Sequence, residues 1–299
     1  ISQSGALAVT GATTLAAGAN AITLDDEAND FQSTVNATGS DVALEDGTGG
    51  LILGDVTATG TLDATSTAGA ITQASSTTIA VDGATTLAAT DGQDPATDFD
   101  IALAEATNDF KAAVNATGKD VTLADSSALT AVLTASGDST VTAGGNLAVS
   151  GSTQGLTTTT TDGGTTSFGA TTIGGALSAT SDGAISQSGA LAVTGVTTLA
   201  AGANAITLDD EANDFQSTVN ATGGDITLAD GTDGVELGNI DAGGLLSATS
   251  TAGAITQASS TTIAVDGATT LAATDGQDPA TDYDVTLDGA DNDFVGTVT

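Results

Sequence analysis

The sequence predicts an all-β chain coiled as a parallel β-helix, a β-solenoid of about 20–26 residues per coil and roughly 11–14 coils. Three observations carry that expectation. The chain repeats itself at a fixed offset, its apolar residues alternate in short β-branched runs, and it lacks the large side chains that a thick core needs.

The repeat comes first. Residues 1–39 recur at 185–223 with one change, Ala12 to Val196, and residues 65–98 recur unchanged at 249–282. Both offsets are 184 (185 − 1 and 249 − 65), so residues 1–184 form one full long repeat and 185–299 a partial second copy. Pro95 and Pro279 are the only prolines and occupy one position of that repeat. With no linker between copies, the two read as one continuous solenoid without a true domain boundary, and as an excerpt of a longer array.

A shorter pattern lies inside the long one. It runs over residues 24–44 as Leu24, Asn29-Asp30-Phe31, Val35-Asn36-Ala37-Thr38-Gly39, Asp41-Val42 and Leu44. It recurs at 103–123 and 208–228, and a fourth copy begins at Leu287 and includes Asn292-Asp293-Phe294. Phe31 and Phe110 are 79 residues apart (110 − 31), and Phe110 and Phe215 are 105 apart (215 − 110). Read as whole numbers of coils, these spacings share a unit of ~26 residues, with ~20 also compatible.

The local signal is strand. Segments such as Ala6-Leu7-Ala8-Val9-Thr10, Ala12-Thr13-Thr14-Leu15 and Ala21-Ile22-Thr23-Leu24 alternate with period 2 and stop at Gly, Asn or Asp. Comparing copies orients them. The second residue after the repeated Phe is always small (Ser33, Ala112, Ser217, Gly296), and the fourth is always Val. The residue directly after Phe varies freely (Gln32, Lys111, Gln216, Val295). Phe31, Ser33 and Val35 therefore face inward, Gln32 faces out, and residues 36–39 read as a turn. Likewise Ile52 becomes Glu236 between Leu51/Val235 and Leu53/Leu237, which puts position 52 on the surface. Residues 24–44 thus read as the recurring corner of a coil, setting its register.

Composition bounds function. Aromatics are 2% of residues, and Cys, Met and Trp are absent. Lys111 and Lys119 are the only cations against 38 acids, a net charge of −36. That excludes a nucleic-acid partner, which needs clustered Lys and Arg, and an anionic membrane surface. No apolar run approaches the ~18 residues of a membrane span, so membrane insertion is not expected. The regular alternation argues against disorder despite the charge. There is no His for acid–base chemistry and no Arg to clamp a substrate, and acids spread along turns do not make the paired carboxylates of a glycosidase. The chain is read as not an enzyme.

The Leu-x-Val-x-Gly and Ala-x-Thr-Leu segments, with the Asn-Asp-Phe to Val-Asn-Ala-Thr-Gly unit, resemble the repeat regions of filamentous-haemagglutinin-like giant β-strand-repeat adhesins and exoproteins of Gram-negative bacteria. The resemblance covers essentially the whole chain. It implies a right-handed parallel β-helix, an extracellular or cell-surface location, and a role as adhesin stalk or biofilm-matrix fibre. It also implies self-association into filaments or bundles. The alternative expectation is a binding module that holds Ca²⁺ or a glycan on a host or cell surface through repeated acidic turns.

Two sets of residues are candidates for ligands. Asp91, Asp94, Asp98 and Asp100 lie around Gly92 and Pro95, and Asp275, Asp278, Asp282 and Asp284 form their twin. Carboxylates so dense around a turn can supply oxygen ligands to Ca²⁺, the one cofactor expected, although the spacing is not that of an EF-hand. Asp25-Asp26-Glu27 and Asp209-Asp210-Glu211 are further acidic turns, read as solvated. Asn36, Asn115 and Asn220 each stand in Asn-Ala-Thr, the glycosylation acceptor pattern; the competing reading is that each Asn stacks or caps a turn.

Overall fold

The structure is a computed structural model and describes residues 1–93, 96–277 and 281–299. It is all-β, and among the described residues there is no helix. Parallel strands stack as a β-solenoid of about 13 turns, as the repeats predict. The chain divides into two compact units, Ile1–Leu147 and Ala148–Thr299.

In the first unit the strands build three stacks. One contains residues 51–53, then Ile71–Gln73, Ile101–Leu103, Val121–Asp125 and Ser139–Ala143. A second contains Thr13–Ala16, Val35–Gly39, residues 56–58, Ile79–Val81 and Asp109–Phe110. The third contains Ile22–Leu24, Val42–Asp46, Leu62–Ser66, Thr85–Ala89, Val114–Gly118 and Leu129–Ala135. The second unit repeats the plan. Its third stack, for example, runs through residues 166–168, Ile185–Gln187, Ile206–Leu208, Ile226–Asp230, Leu246–Ser250 and Thr269–Ala273.

Stacking is in register, so each inward position becomes a column. Ile22, Val42, Leu62, Thr85, Val114 and Ala131 form one such column. The alternation along each strand explains it: Leu62, Ala64 and Ser66 are buried while Asp63 is exposed. Each buried Val, Leu or Ile contributes about 1.5–3 kcal/mol. The few large side chains go fully inside, and Phe31, Phe110 and Phe168 are at most 1% exposed. The copy comparison oriented the core correctly. Phe31 and Val35 are buried, Ser33 is half-buried, Gln32 is exposed, and Glu236 lies outward between buried Val235 and Leu237.

Three details differ from expectation. The coil length is not confined to 20–26 residues. Steps range from 17, at Val114↔Ala131 (131 − 114), to 30, at Ile71↔Ile101 (101 − 71), because the longer coil carries the loop around Asp91. Residues 36–39 are not a turn, since Val35–Gly39 is a strand; its outward residues are polar, which a single-strand reading mistakes for a bend. Finally, the phenylalanines are not whole numbers of turns apart. Val35–Gly39 belongs to the second stack, but the equivalent Val114–Gly118 belongs to the third. The motif steps round the coil by one face between its two appearances in this unit.

Some columns contain a hydroxyl where an apolar group belongs. Thr85 is 0% exposed, its Oγ1 has no partner, and its column neighbours are Leu62 and Val114. Leaving a buried hydroxyl unpaired costs about 1–3 kcal/mol. Thr85→Val should therefore raise stability by about 1 kcal/mol, read as a higher denaturant midpoint at unchanged slope. A lower midpoint would mean that the hydroxyl is satisfied after all.

Candidate functional site at the Asn-Asp-Phe corner

The recurring corner is held by buried amides. Asn29 is 0% exposed. Its Oδ1 accepts from Gln3 Nε2 at 2.7 Å and from the Leu7 amide at 2.9 Å. Its Nδ2 donates to Gln3 Oε1 at 3.1 Å and to the carbonyls of Leu24 and Glu45, both at 3.2 Å. The Gln and Asn amides thus pair face to face, one coil apart, and the Asn also closes its own bend. Gln73–Asn108, Gln187–Asn213 and Gln257–Asn292 repeat the pairing, with Nε2 to Oδ1 distances of 2.7, 2.8 and 2.8 Å. Leaving buried amides unbonded is costly, and here the bonds are supplied by the sequence itself.

A buried carboxylate closes the other side of the corner. Asp46 is 0% exposed; its Oδ2 accepts from the Phe31 amide at 2.9 Å and its Oδ1 from the Thr48 amide at 2.8 Å. Asp125 holds Phe110 and Ser127 in the same way, at 2.6 Å each, and Asp230 holds Phe215 and Thr232 at 2.7 and 2.9 Å. Each Asp stands 15 residues after its Phe (46 − 31, 125 − 110, 230 − 215). A corner therefore joins three successive coils: the Gln below, the Asn-Asp-Phe, and the Asp above.

Sequence reasoning missed both Gln and Asp. A signal existed for each. The glutamines always follow Ile-Ser or Ile-Thr, and the aspartates keep a constant offset from Phe. Neither type looked structural, because an isolated Gln or Asp normally faces water.

The Asn-Ala-Thr residues have different fates. Asn36 lies in the strand Val35–Gly39 and sits opposite a β-bulge, where Val35 pairs with Leu53 but Ala37 with Val56. Its Oδ1 accepts the amide of Asp55, in the bulge, at 2.9 Å, and its Nδ2 reaches Thr13 O at 3.3 Å. Asn220 treats Asn239 and Thr197 in the same way at 2.9 and 3.5 Å. Asn115 is exposed, and its strand pairs with Leu129–Ala135 without a bulge. Asn36 and Asn220 thus each lie within a strand and hold the backbone of the facing bulge.

The acidic loops are closed by their first carboxylate. Asp91 Oδ1 accepts from the amides of Gln93 at 3.0 Å and Thr97 at 2.8 Å, and these bonds, Thr97 foremost, hold its pKa below the ordinary value. Asp275 does the same with Gln277 and Thr281 at 3.0 and 2.8 Å. Antiparallel bridges Thr90↔Asp98 and Thr274↔Asp282 seal each loop. Asp100 and Asp284 are exposed beyond the bridge. Asp94 and Asp278 lie outside the described residues. Among the described residues, no group of three or more Asp, Glu, His or Cys side chains is placed to hold a metal ion.

A shallow groove lies beside the first and third corners, about 470 Å³ along Asp30, Gln32 and Ile52 and about 440 Å³ along Gln216, Asp233 and Glu236. Its wall chemistry changes between copies, with Gly49 and Ile52 in one and Asp233 and Glu236 in the other.

Residues 1–38, 39–117, 154–222 and 223–299 match a family described as repeats of unknown function (DUF5649). The chain belongs to that family. Three of these matches end at Thr38, Thr117 and Thr222, the Thr of Val-Asn-Ala-Thr, so the family repeat closes on the corner strand. The capping Asp46, Asp125 and Asp230 lie beyond those ends. No curated protein and no solved structure matches the chain.

Two substitutions test this geometry. Asn213→Leu should cost roughly 3 kcal/mol or more, because it strands the Gln187 amide, the Leu191 amide and the Leu208 and Ala229 carbonyls; Asp209→Asn, on a solvated turn, should stay within about 0.5 kcal/mol. Equal denaturant midpoints for the two would refute the amide clamp. At the bulge, a Cβ on Gly238 would meet Asn220 Oδ1 at 2.3 Å and Thr218 Cγ2 at 2.6 Å. Gly238→Ala should cost about 1–3 kcal/mol, and Asn220→Ala should relieve part of that in a double-mutant cycle.

Proposed function

We propose that the chain is a structural repeat segment of an extracellular bacterial fibre or adhesin stalk, whose task is length, stiffness and resistance to proteolysis. The observation that carries this reading is the recurring corner, which ties its own coil to the coil before and the coil after through buried side chains. Bonds that run along the stack add stability by nearest-neighbour coupling, so that longer arrays hold better than short ones. The net charge of −36 keeps such segments soluble and apart at low salt.

Self-association into filaments or bundles follows if cations screen that charge. A second reading is a ligand-binding module, and it is favoured by the identical pinning of the Asp91 and Asp275 loops in both copies. In that reading Ca²⁺ binds at Asp91, Asp94, Asp98 and Asp100 and at Asp275, Asp278, Asp282 and Asp284, or a glycan is held at the acidic turns. A Ca²⁺-dependent rise in melting temperature that chelator reverses supports the binding module; indifference to both removes it.

Trypsin separates a mechanical segment from a mobile one. Lys111 and Lys119 are its only targets, and both have side chains more than half exposed. Both flank the second corner. The native protein should stay uncut under conditions that cleave the urea-unfolded chain at both sites. Rapid cutting of the native protein would oppose a protease-resistant stalk.

A further inference from the structure

The corner capped by Asp230 differs from the one capped by Asp125 in how its charge is met. Asp230 is 0% exposed and is bonded only by the amides of Phe215 and Thr232. The charged groups facing it are Asp214, on the strand that carries Phe215, and Asp233, in the turn that follows. The turn on the coil before adds Asp209, Asp210 and Glu211, and the coil after stacks Ser250 on it, a hydroxyl that is 0% exposed and has no partner. Among the described residues the lysines pair elsewhere, Lys111 with Asp109 and Lys119 with Asp100 and Asp120. Asp214 uses Oδ2 to accept from Gln216 Nε2 at 2.8 Å, while its Oδ1 is buried and has no partner.

The corner capped by Asp125 meets each of these demands. Lys111 Nζ bonds Asp109, the counterpart of Asp214. Ser127 Oγ donates to Asp109 Oδ1 at 3.3 Å and to Asp125 Oδ1 at 2.9 Å. One clamp is therefore built with neutralising groups and the other without.

We propose that the corner capped by Asp230 is a proton-operated lock, fastened when the buried Asp230 carboxylate takes up a proton and loosened when it is ionised. A proton there removes a buried charge that only two backbone amides meet, and with it the repulsion from Asp214 and Asp233. Burial pushes the Asp230 carboxyl up to about 6, in agreement with this geometry. The sign of the effect follows from linkage. The folded value lies above the ~3.9 of an unfolded Asp, so the folded state keeps a proton that the unfolded state releases. Local stability is then highest below about pH 4, falls as pH rises to about 6, and is flat above that. The lock tightens in acid, opposite to the usual carboxylate.

Amide exchange, expressed as protection factors, tests this at pH 5 and pH 7.5. At Phe215 and Thr232 protection should fall about tenfold over that interval, whereas at Phe110 it should fall less. Asp230→Asn, which carries no charge at either pH, should lose that difference between pH 5 and pH 7.5. The ¹³C shift of the Asp230 carboxyl should titrate near pH 6 in the wild type. No fall at Phe215, an equal fall at Phe110, or an equal fall in Asp230→Asn would each overturn the proposal; the last two would assign the effect to general repulsion among the acids.

Discussion

Everything in this chain depends on the parallel ladder between coils. A strand of three to five residues cannot satisfy its own backbone, and each N–H and C=O must find the coil above or below. That requirement explains the composition. Once coils are in register, each inward position is stacked on its like, and only small or β-branched side chains fit a narrow interior. The large aromatics are few because the coil has few places wide enough for them.

The ladder alone does not decide where the chain bends. At Asn29, Asn108 and Asn213 the bend is fixed by a fully buried side chain that bonds across coils. An amide has both donor and acceptor, and so can pair with another amide while also serving the backbone. The buried Asp has only acceptors and serves two N–H groups on a bend that has too few carbonyls. The division of labour between Asn and Asp therefore follows from their hydrogen-bond inventories. The family boundaries gain meaning here as well: the Asp that caps each of the first three corners lies outside the repeat that contains the Phe. At the first and third corners the Asp belongs to the next repeat, so those neighbouring repeats share a corner, and such sharing is a physical source of coupling between them; Asp125 lies between matches.

Fold class and inward faces were legible because copies of one pattern can be compared within a single chain. Variation at Gln32 and Lys111 beside constancy at Phe and Val identifies a surface without any knowledge of the coil. The turn assigned to residues 36–39 failed because Asn, Thr and Gly are turn formers in isolation, whereas here the ladder overrides propensity. The clamp residues were hidden for another reason. Gln3 and Asn29 are 26 residues apart, and Gln73 and Asn108 are 35 apart, so no local window contains a pair. The inserted loop at Asp91 makes the difference, and coil length cannot be read from a mean period when one coil carries an excursion.

The one-face displacement between successive corners has a consequence for what the surface offers. Within the first unit the same Val-Asn-Ala-Thr-Gly strand enters the second stack and then the third. A motif confined to one stack would present its outward residues along a single line. This one presents them at two azimuths, so whatever chemistry travels with it, from Asn36 to Lys111, is displayed around the axis and not along one side.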